Sequence, residues 1–423
     1  MINRPKGTKD VLPNEVYKWQ YVEKLGKYCL SLRGFKEIRT PVFEHTELFV
    51  RGVGEGSDIV NKEMYTFLDK GERSITLKPE GTASIVRALI ENGLDNEAMP
   101  QKLFMLTPCF RYERPQAGRF REHHQFSIEA FGSHSPLMEV EVIGTIKAIL
   151  DSLSFNNYLI NINSIGCKNC RKHYLEVLKK YYSKHIDSMC NDCKVRYNKN
   201  PLRLLDCKEE KCAVYKAEAP KPRDYLCDEC KEHFKLLTEL LDASKITYRV
   251  NDNLVRGIDY YSRTVFEFLT EEKGALNVIC GGGRYDGLVE ELGGKPLPAV
   301  GVGLGIEHLL LLLEKNGIEI PKTDKLDLYV ACASKREMPK VVSLVKELRD
   351  RGVSTEFDTM DRSLKAQMKY ANKIEARYVL VIGEEELLSG RAALKSMNSE
   401  KQEFVNFMSK EDIDGIAKLV KED

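Results

Sequence analysis

Two groups of residues in this chain have the types and the spacing to do chemistry. The first lies in the run FRYERPQAGRFREHHQFSIEAFG, where Arg111 and Glu113 are two apart and Gln125, Ser127 and Glu129 repeat the same interval. On extended strands that interval puts each set on one face, with the intervening loop joining two adjacent strands. A sheet face carrying an arginine, an amide and carboxylates is costly to bury unless it binds something polar and charged. The alternative is an exposed antiparallel sheet laced with cross-strand ion pairs.

The second group holds eight of the twelve cysteines, as Cys167/Cys170, Cys190/Cys193, Cys207/Cys212 and Cys227/Cys230. Three of these pairs are CxxC. Two residues between thiolates let both sulfurs reach one tetrahedral ion, so two pairs complete a four-cysteine zinc site and four pairs complete two. An iron–sulfur cluster and unliganded thiols are the other readings, while a reducing compartment disfavours disulfides. The spacing leaves open which pairs share an ion.

Both groups need elements to hold them. At 423 residues the chain exceeds what one core supports, so two or three domains are expected, and 30% charged residues mark a globular protein. A net charge of +1 excludes bulk attraction to nucleic acid, although residues 325–378 carry twelve basic against eight acidic side chains. That excess is equally a solvated helix face. The amino terminus lacks the apolar core of a signal peptide, and the longest aliphatic run, Leu309 to Leu313, is too short to span a bilayer. A cytoplasmic location without membrane attachment is therefore expected.

Val22, Leu25, Cys29 and Leu32 recur at helical spacing between Pro13 and Gly34, predicting an opening helix of roughly five turns. The runs MYTFLD, SITLKP, KLFMLTPCFRYE and HHQFSIEAFG read as strands, and Thr82–Glu91 and Leu137–Leu153 as helices. The mixture predicts an α+β domain, an antiparallel sheet with flanking helices, over 1–165 and 248–318. The cysteine-rich block interrupts it as an insertion over 166–247. KNGIEIPKTDK reads as a linker. Beyond it, over 326–423, DLYVACA, VSTEFD and YVLVIG alternate with helices near 338–351 and 364–375, as in a small α/β domain.

The first group, with the RPQAGRFRE loop, closely resembles motif 2 of the histidyl-tRNA synthetase family. LKPEGTASIVRA at 77–88, LVRGIDYY at 254–261 and GGGRYDGL at 281–288 extend the resemblance, and TPVFEHTELF, with Pro41, is similar to the class II dimer motif. The last hundred residues resemble that family's anticodon-binding module. The resemblance implies a class II homodimer that uses ATP and Mg2+ to activate L-histidine and passes it to tRNA(His).

It implies further that Arg111 clamps the ATP α-phosphate and Glu113 accepts from the adenine amino group. Arginine suits the first task because its charged fork pairs bidentately with phosphate oxygens. Glu80 and Thr82 would hold the substrate α-amino group, with Gln125 beside the carboxylate. Glu129 and Tyr261 would grip the imidazole, with Tyr260 in the same histidine-binding set. Arg256 would offset charge developing at the α-phosphorus, and Gly281 to Gly283 would line the histidine pocket. Period two alone puts Arg256 and Tyr261 on opposite strand faces, so this segment must bend at Gly257 or begin as a loop.

One departure stands out. Where motif 3 of the family has an arginine facing the γ-phosphate, this chain has His308, mostly neutral at pH 7 when unperturbed, which leaves Arg119 as the expected substitute. Two rival classes share the resemblance. A histidine-sensing regulatory subunit of ATP phosphoribosyltransferase keeps the fold without charging tRNA, but lacks the carboxy-terminal α/β domain. A synthetase-like RNA sensor requires a kinase region that this chain does not contain. For tRNA, the resemblance points to Gln116 and Arg119 at the acceptor end.

Overall fold

A computed structural model describes residues 1–54, 56–272, 275–322, 325–399 and 401–422. Two residues of the expected linker, 323 and 324, lie outside these. The chain divides into two compact units, 1–320 and 321–423. Among the described residues no helix is long and apolar enough to cross a membrane.

The first unit is built on an eight-stranded sheet. Its order is Lys36–Glu37, Gln101–Phe110, Glu122–Phe131, Ala299–Gly305, Ala275–Arg284, Ser262–Glu272, Leu159–Ser164 and Arg249–Val250. The six central strands pair antiparallel, and each outermost strand pairs parallel with its neighbour. Strand period two sorts the faces. Phe126, Ile128 and Ala130, with Val300, Val302 and Leu304, pack into one core with the Val16–Ser31 and Leu137–Ser152 helices. The opposite face carries Gln125, Ser127 and Glu129, paired in register with Gly305, Gly303 and Gly301.

The opening helix buries Val22 and Cys29 as expected, but Leu32 caps its end and stands exposed, and Leu30 is buried instead. Gly34 then takes φ +73, the left-handed turn that a glycine makes cheaply. A larger correction concerns Arg111 and Glu113. Their strand stops at Phe110, and the Glu113 amide turns back to the Arg111 carbonyl (2.7 Å). They therefore sit in the hairpin loop, beyond the reach of period-two alternation. The 254–261 segment is also a loop, with its strand starting at Ser262, which is how Arg256 and Tyr261 come to share one cleft.

The cysteine-rich segment forms the helices Lys168–Tyr182, Asn191–Lys199, Glu210–Glu218 and Asp228–Ala243 and lies within the first unit. Its last helix puts Phe234, Leu237 and Leu241 into the main core. A buried polar knot fixes it there: His233 meets Glu139 at 2.7 Å, and Arg284 Nε donates to the same carboxylate at 2.8 Å. Removing one member of such a knot strands a buried charge, so it specifies the packing strongly.

The second unit is the expected α/β domain. Its five-stranded sheet has the order Thr355–Phe357, Leu328–Cys332, Tyr378–Ile382, Arg391–Ser396 and Gln402–Asn406. The first three strands run parallel, and the last two add antiparallel. Those two strands and the final Lys410–Glu422 helix were not anticipated by the sequence pattern.

Candidate active site and cysteine clusters

The polar face of the sheet is the floor of a cleft of about 670 Å³. Its depth comes from missing side chains. A Cβ at Gly301 would overlap the Glu129 carboxylate, one at Gly281 would overlap the Arg256 guanidinium, and one at Gly283 would come within 2.9 Å of the Tyr261 ring. Of the glycine run, Gly281 lines the cleft, whereas Gly282 faces Val302 and Phe266 and Gly283 makes room for Tyr261. The alternation in AVGVGLG, apolar toward the core and glycine toward the cleft, is the sequence signal that period-two reading passed over.

At one end the groups are prebuilt. Both Glu80 oxygens accept backbone N–H groups at the start of the Thr82–Glu91 helix, from Thr82 (2.7 Å) and Ala83 (2.8 Å). Thr82 donates its hydroxyl to Glu129 (2.7 Å), and the Tyr285 hydroxyl donates to the other Glu129 oxygen. Glu129 is 1% exposed and lies beneath the cleft wall, behind Thr82 and Tyr285. Burial pushes its carboxyl up to about 8, against the pull of the two hydroxyls. The Tyr260 ring packs at a tilt, 4.7 Å from Tyr261 and 5.2 Å from Tyr285. Gln125 reaches the cleft while donating to Ser127 (2.9 Å). Tyr285 was absent from the expected set, although it stands in the GGGRYDGL motif.

The other end is more open. Arg111 is tethered by Nε to the Pro79 carbonyl (2.8 Å) and lies 3.7 Å from Glu113. Arg119 is 59% exposed and 3.9 Å from the same carboxylate. Arg256 also lines the cleft, 3.6 Å from Glu267, with its buried Nε unpartnered. His308 lines the cleft from the first turn of the Ile306–Lys315 helix, beneath Gly118, where a Cβ would fall 2.7 Å from Nδ1. Arg203 and Lys208, also unanticipated, reach this cleft from the cysteine-rich segment.

The eight cysteines gather into two groups, Cys167, Cys170, Cys227 and Cys230, and Cys190, Cys193, Cys207 and Cys212, with the sulfurs of each within 4.8 Å of one another. Cys167, Cys190 and Cys227 each occupy a helix N-cap, so each CxxC wraps a first turn whose free N–H groups favour thiolate. Sulfur separations of 3.6 Å (Cys167–Cys170) and 3.7 Å (Cys190–Cys207) fit about 3.8 Å, the edge of a tetrahedron with Zn–S bonds of about 2.3 Å. Amide N–H groups of Cys227, Cys190 and Cys193 point at cluster sulfurs, as thiolates require.

Residues 7–309 match the family model described as histidyl-tRNA synthetase, and residues 327–418 match that of an anticodon binding domain. A histidine–tRNA ligase of Caldanaerobacter subterraneus subsp. tengcongensis is 54% identical over 418 residues, covering 99% of each chain. The crystal structure of the apo S. aureus histidyl-tRNA synthetase superposes with a TM-score of 0.84 at 36% identity, covering both chains fully. A Bacillus halodurans structure described as an ATP phosphoribosyltransferase regulatory subunit/histidyl-tRNA synthetase is 20% identical with a TM-score of 0.64, covering 90% of this chain and 98% of its own, and shares the fold alone.

Proposed function

We propose how the work is divided in a chain that belongs to the histidyl-tRNA synthetase family and that joins histidine to tRNA, through a histidyl-adenylate, at the expense of ATP. ATP enters as its Mg2+ complex. Arg111 holds the α-phosphate and Glu113 the adenine amino group, while Arg119 and His308 face the outer phosphates. Glu80, Thr82 and Gln125 receive the amino acid backbone, and Glu129, with Tyr260 and Tyr261, receives the imidazole. A pocket whose polar partners satisfy both ring nitrogens rejects apolar isosteres by about 10⁴ to 10⁵, because the substitute leaves them unpaired.

The carboxylate of histidine then attacks the α-phosphorus in line and pyrophosphate leaves. No protein nucleophile takes part. Arg256 spans the reacting atoms and offsets their developing charge. The observation that carries this reading is the convergence of Arg111 and Arg256, from separate loops, on one cleft whose wall at Thr82 and Tyr285 is backed by a buried carboxylate that accepts both hydroxyls. Histidine-dependent exchange of pyrophosphate into ATP tests it: exchange with histidine and with no other amino acid is expected, and its absence would overturn the assignment. The regulatory-subunit reading predicts histidine binding without exchange, and its solved counterpart shares only the fold.

Each cysteine cluster holds one structural Zn2+ in this reading, giving a small insertion core the staple it needs. Two ions per chain are expected by metal analysis after reducing purification, and fewer than one would reject the zinc assignment. Cysteines kept as zinc thiolates rather than disulfides suit a reducing cytoplasm. Arg203 and Lys208 make the insertion a clamp on the incoming tRNA acceptor end. The small sheet of Phe43–His45, Ser74–Leu77 and Thr66–Leu68, which leaves Phe43, Phe67 and Leu68 exposed, is the proposed homodimer face. Sedimentation as a monomer at micromolar concentration would count against it.

A further inference from the structure

The loop that carries Arg256, Tyr260 and Tyr261 precedes the strand at Ser262, yet two residues beside the cysteines of one cluster hold it and the residue just past it. Arg171 follows Cys170, in the helical turn that the first knuckle winds, with its amide on the Cys167 carbonyl (2.9 Å). Its guanidinium donates to the carbonyls of Tyr261 (2.6 Å) and Asp259 (3.3 Å). From the second knuckle, Glu229, between Cys227 and Cys230, pairs with Arg263, a residue held at φ +51 just past the loop. The Arg263 backbone is pinned as well, its N–H on the Gly166 carbonyl and its carbonyl on the Ile165 N–H, both at 2.8 Å. Gly166 has φ +72, and a Cβ there would fall 2.5 Å from that of Cys170, so the knuckle closes directly on this segment.

On the reading above of this loop as part of the histidine pocket, we propose that Arg171 is a positioning residue for histidine binding. The centre formed by Cys167, Cys170, Cys227 and Cys230 sets its place: by joining the two knuckles, an ion there fixes both grips on residues 259–263 at once. The segment of the other centre reaches the loop through side chains, with Asn200 donating to Asp259 and Arg203 lying beside Gly257. The coupling is mechanical, since neither Arg171 nor any of these thiols lines the cleft.

The test uses the full-length, zinc-loaded protein, with Arg171→Ala and Arg171→Lys compared by histidine calorimetry and pyrophosphate exchange. Because a displacement of about 1 Å costs on the order of a hundredfold, Arg171→Ala should raise the Kd and KM for histidine roughly 10- to 100-fold. The KM for ATP should stay within about twofold, and lysine, with its single donor point, should recover part of the loss. Linkage supplies a second readout. Histidine should slow chelator-driven zinc release from the wild type and not from Arg171→Ala. Equal losses toward both substrates, an unchanged histidine affinity, or zinc release indifferent to histidine would each overturn the proposal. Should Arg171→Ala fail to fold, Glu229→Ala, at an exposed pair, must shift histidine affinity in the same direction for the proposal to stand. Absence of exchange in the wild type would instead sink the functional assignment itself.

Discussion

At the end of the cleft proposed to take histidine, Glu80, Thr82, Glu129 and Tyr285 are already joined by hydrogen bonds and largely sealed from solvent, whereas at the end proposed to take the nucleotide Arg119 is 59% exposed and 3.9 Å from Glu113. The first arrangement bears its desolvation cost at folding and so discriminates sharply, since a wrong ligand leaves buried groups unpaired. The second stays hydrated until phosphates arrive, and an exposed ion pair is worth little by itself. On the proposed function, selectivity belongs to the closed end and charge neutralisation to the open one, and Arg256 serves the step that joins them.

Breaking the junction should cost most. Arg256→Ala is expected to slow histidine-dependent pyrophosphate exchange by roughly 10² to 10³, the loss typical of one charge-stabilising donor, with histidine affinity little changed. An equal loss in histidine affinity would move Arg256 from the reacting atoms to the pocket wall.

Next comes the closed end. Glu129→Gln should raise the histidine KM roughly 2- to 10-fold, since a hydrogen bond to a group left uncharged near neutral pH is worth about 0.5 to 1.5 kcal/mol. The same variant should separate from wild type in stability as pH rises. The Glu129 carboxyl goes from an ordinary 4.5 to about 8 on folding. Between those values the folded chain holds a proton that the unfolded chain has released, so this group's contribution is full below about 4.5 and is lost as pH climbs through 8. Glutamine does not titrate. Denaturant unfolding should therefore show glutamine gaining on wild type from pH 5.5 to pH 8.5, and parallel pH profiles would rule out the buried charge.

The open end should respond least. His308→Arg adds a permanent charge near the proposed phosphate site and should lower the KM for ATP several-fold. An unchanged KM for ATP would remove His308 from ATP binding. Arg119→Ala should raise the KM for ATP by less than about fivefold, as its exposure implies. A larger effect would mean that this end closes as tightly on its ligand as the histidine end does.

Much of this arrangement was legible in the residues alone, where the information is local. Period two put Gln125, Ser127 and Glu129 on one face, and the strand shows them there because alternation acts through a single backbone. CxxC spacing likewise promised pairs of sulfurs, since two thiols share one helical turn. Arg111 and Glu113 were misplaced because their strand ends at Phe110, three residues short of the expected run, and a strand end depends on its partner more than on its own pattern. Only the tertiary structure paired Cys167/Cys170 with Cys227/Cys230 across the intervening cluster, sank Glu129 behind Thr82 and Tyr285, and brought Arg171 to the Tyr261 carbonyl. Those contacts join residues tens of positions or more apart. Nothing short of burying the shared cores decides which distant segments meet.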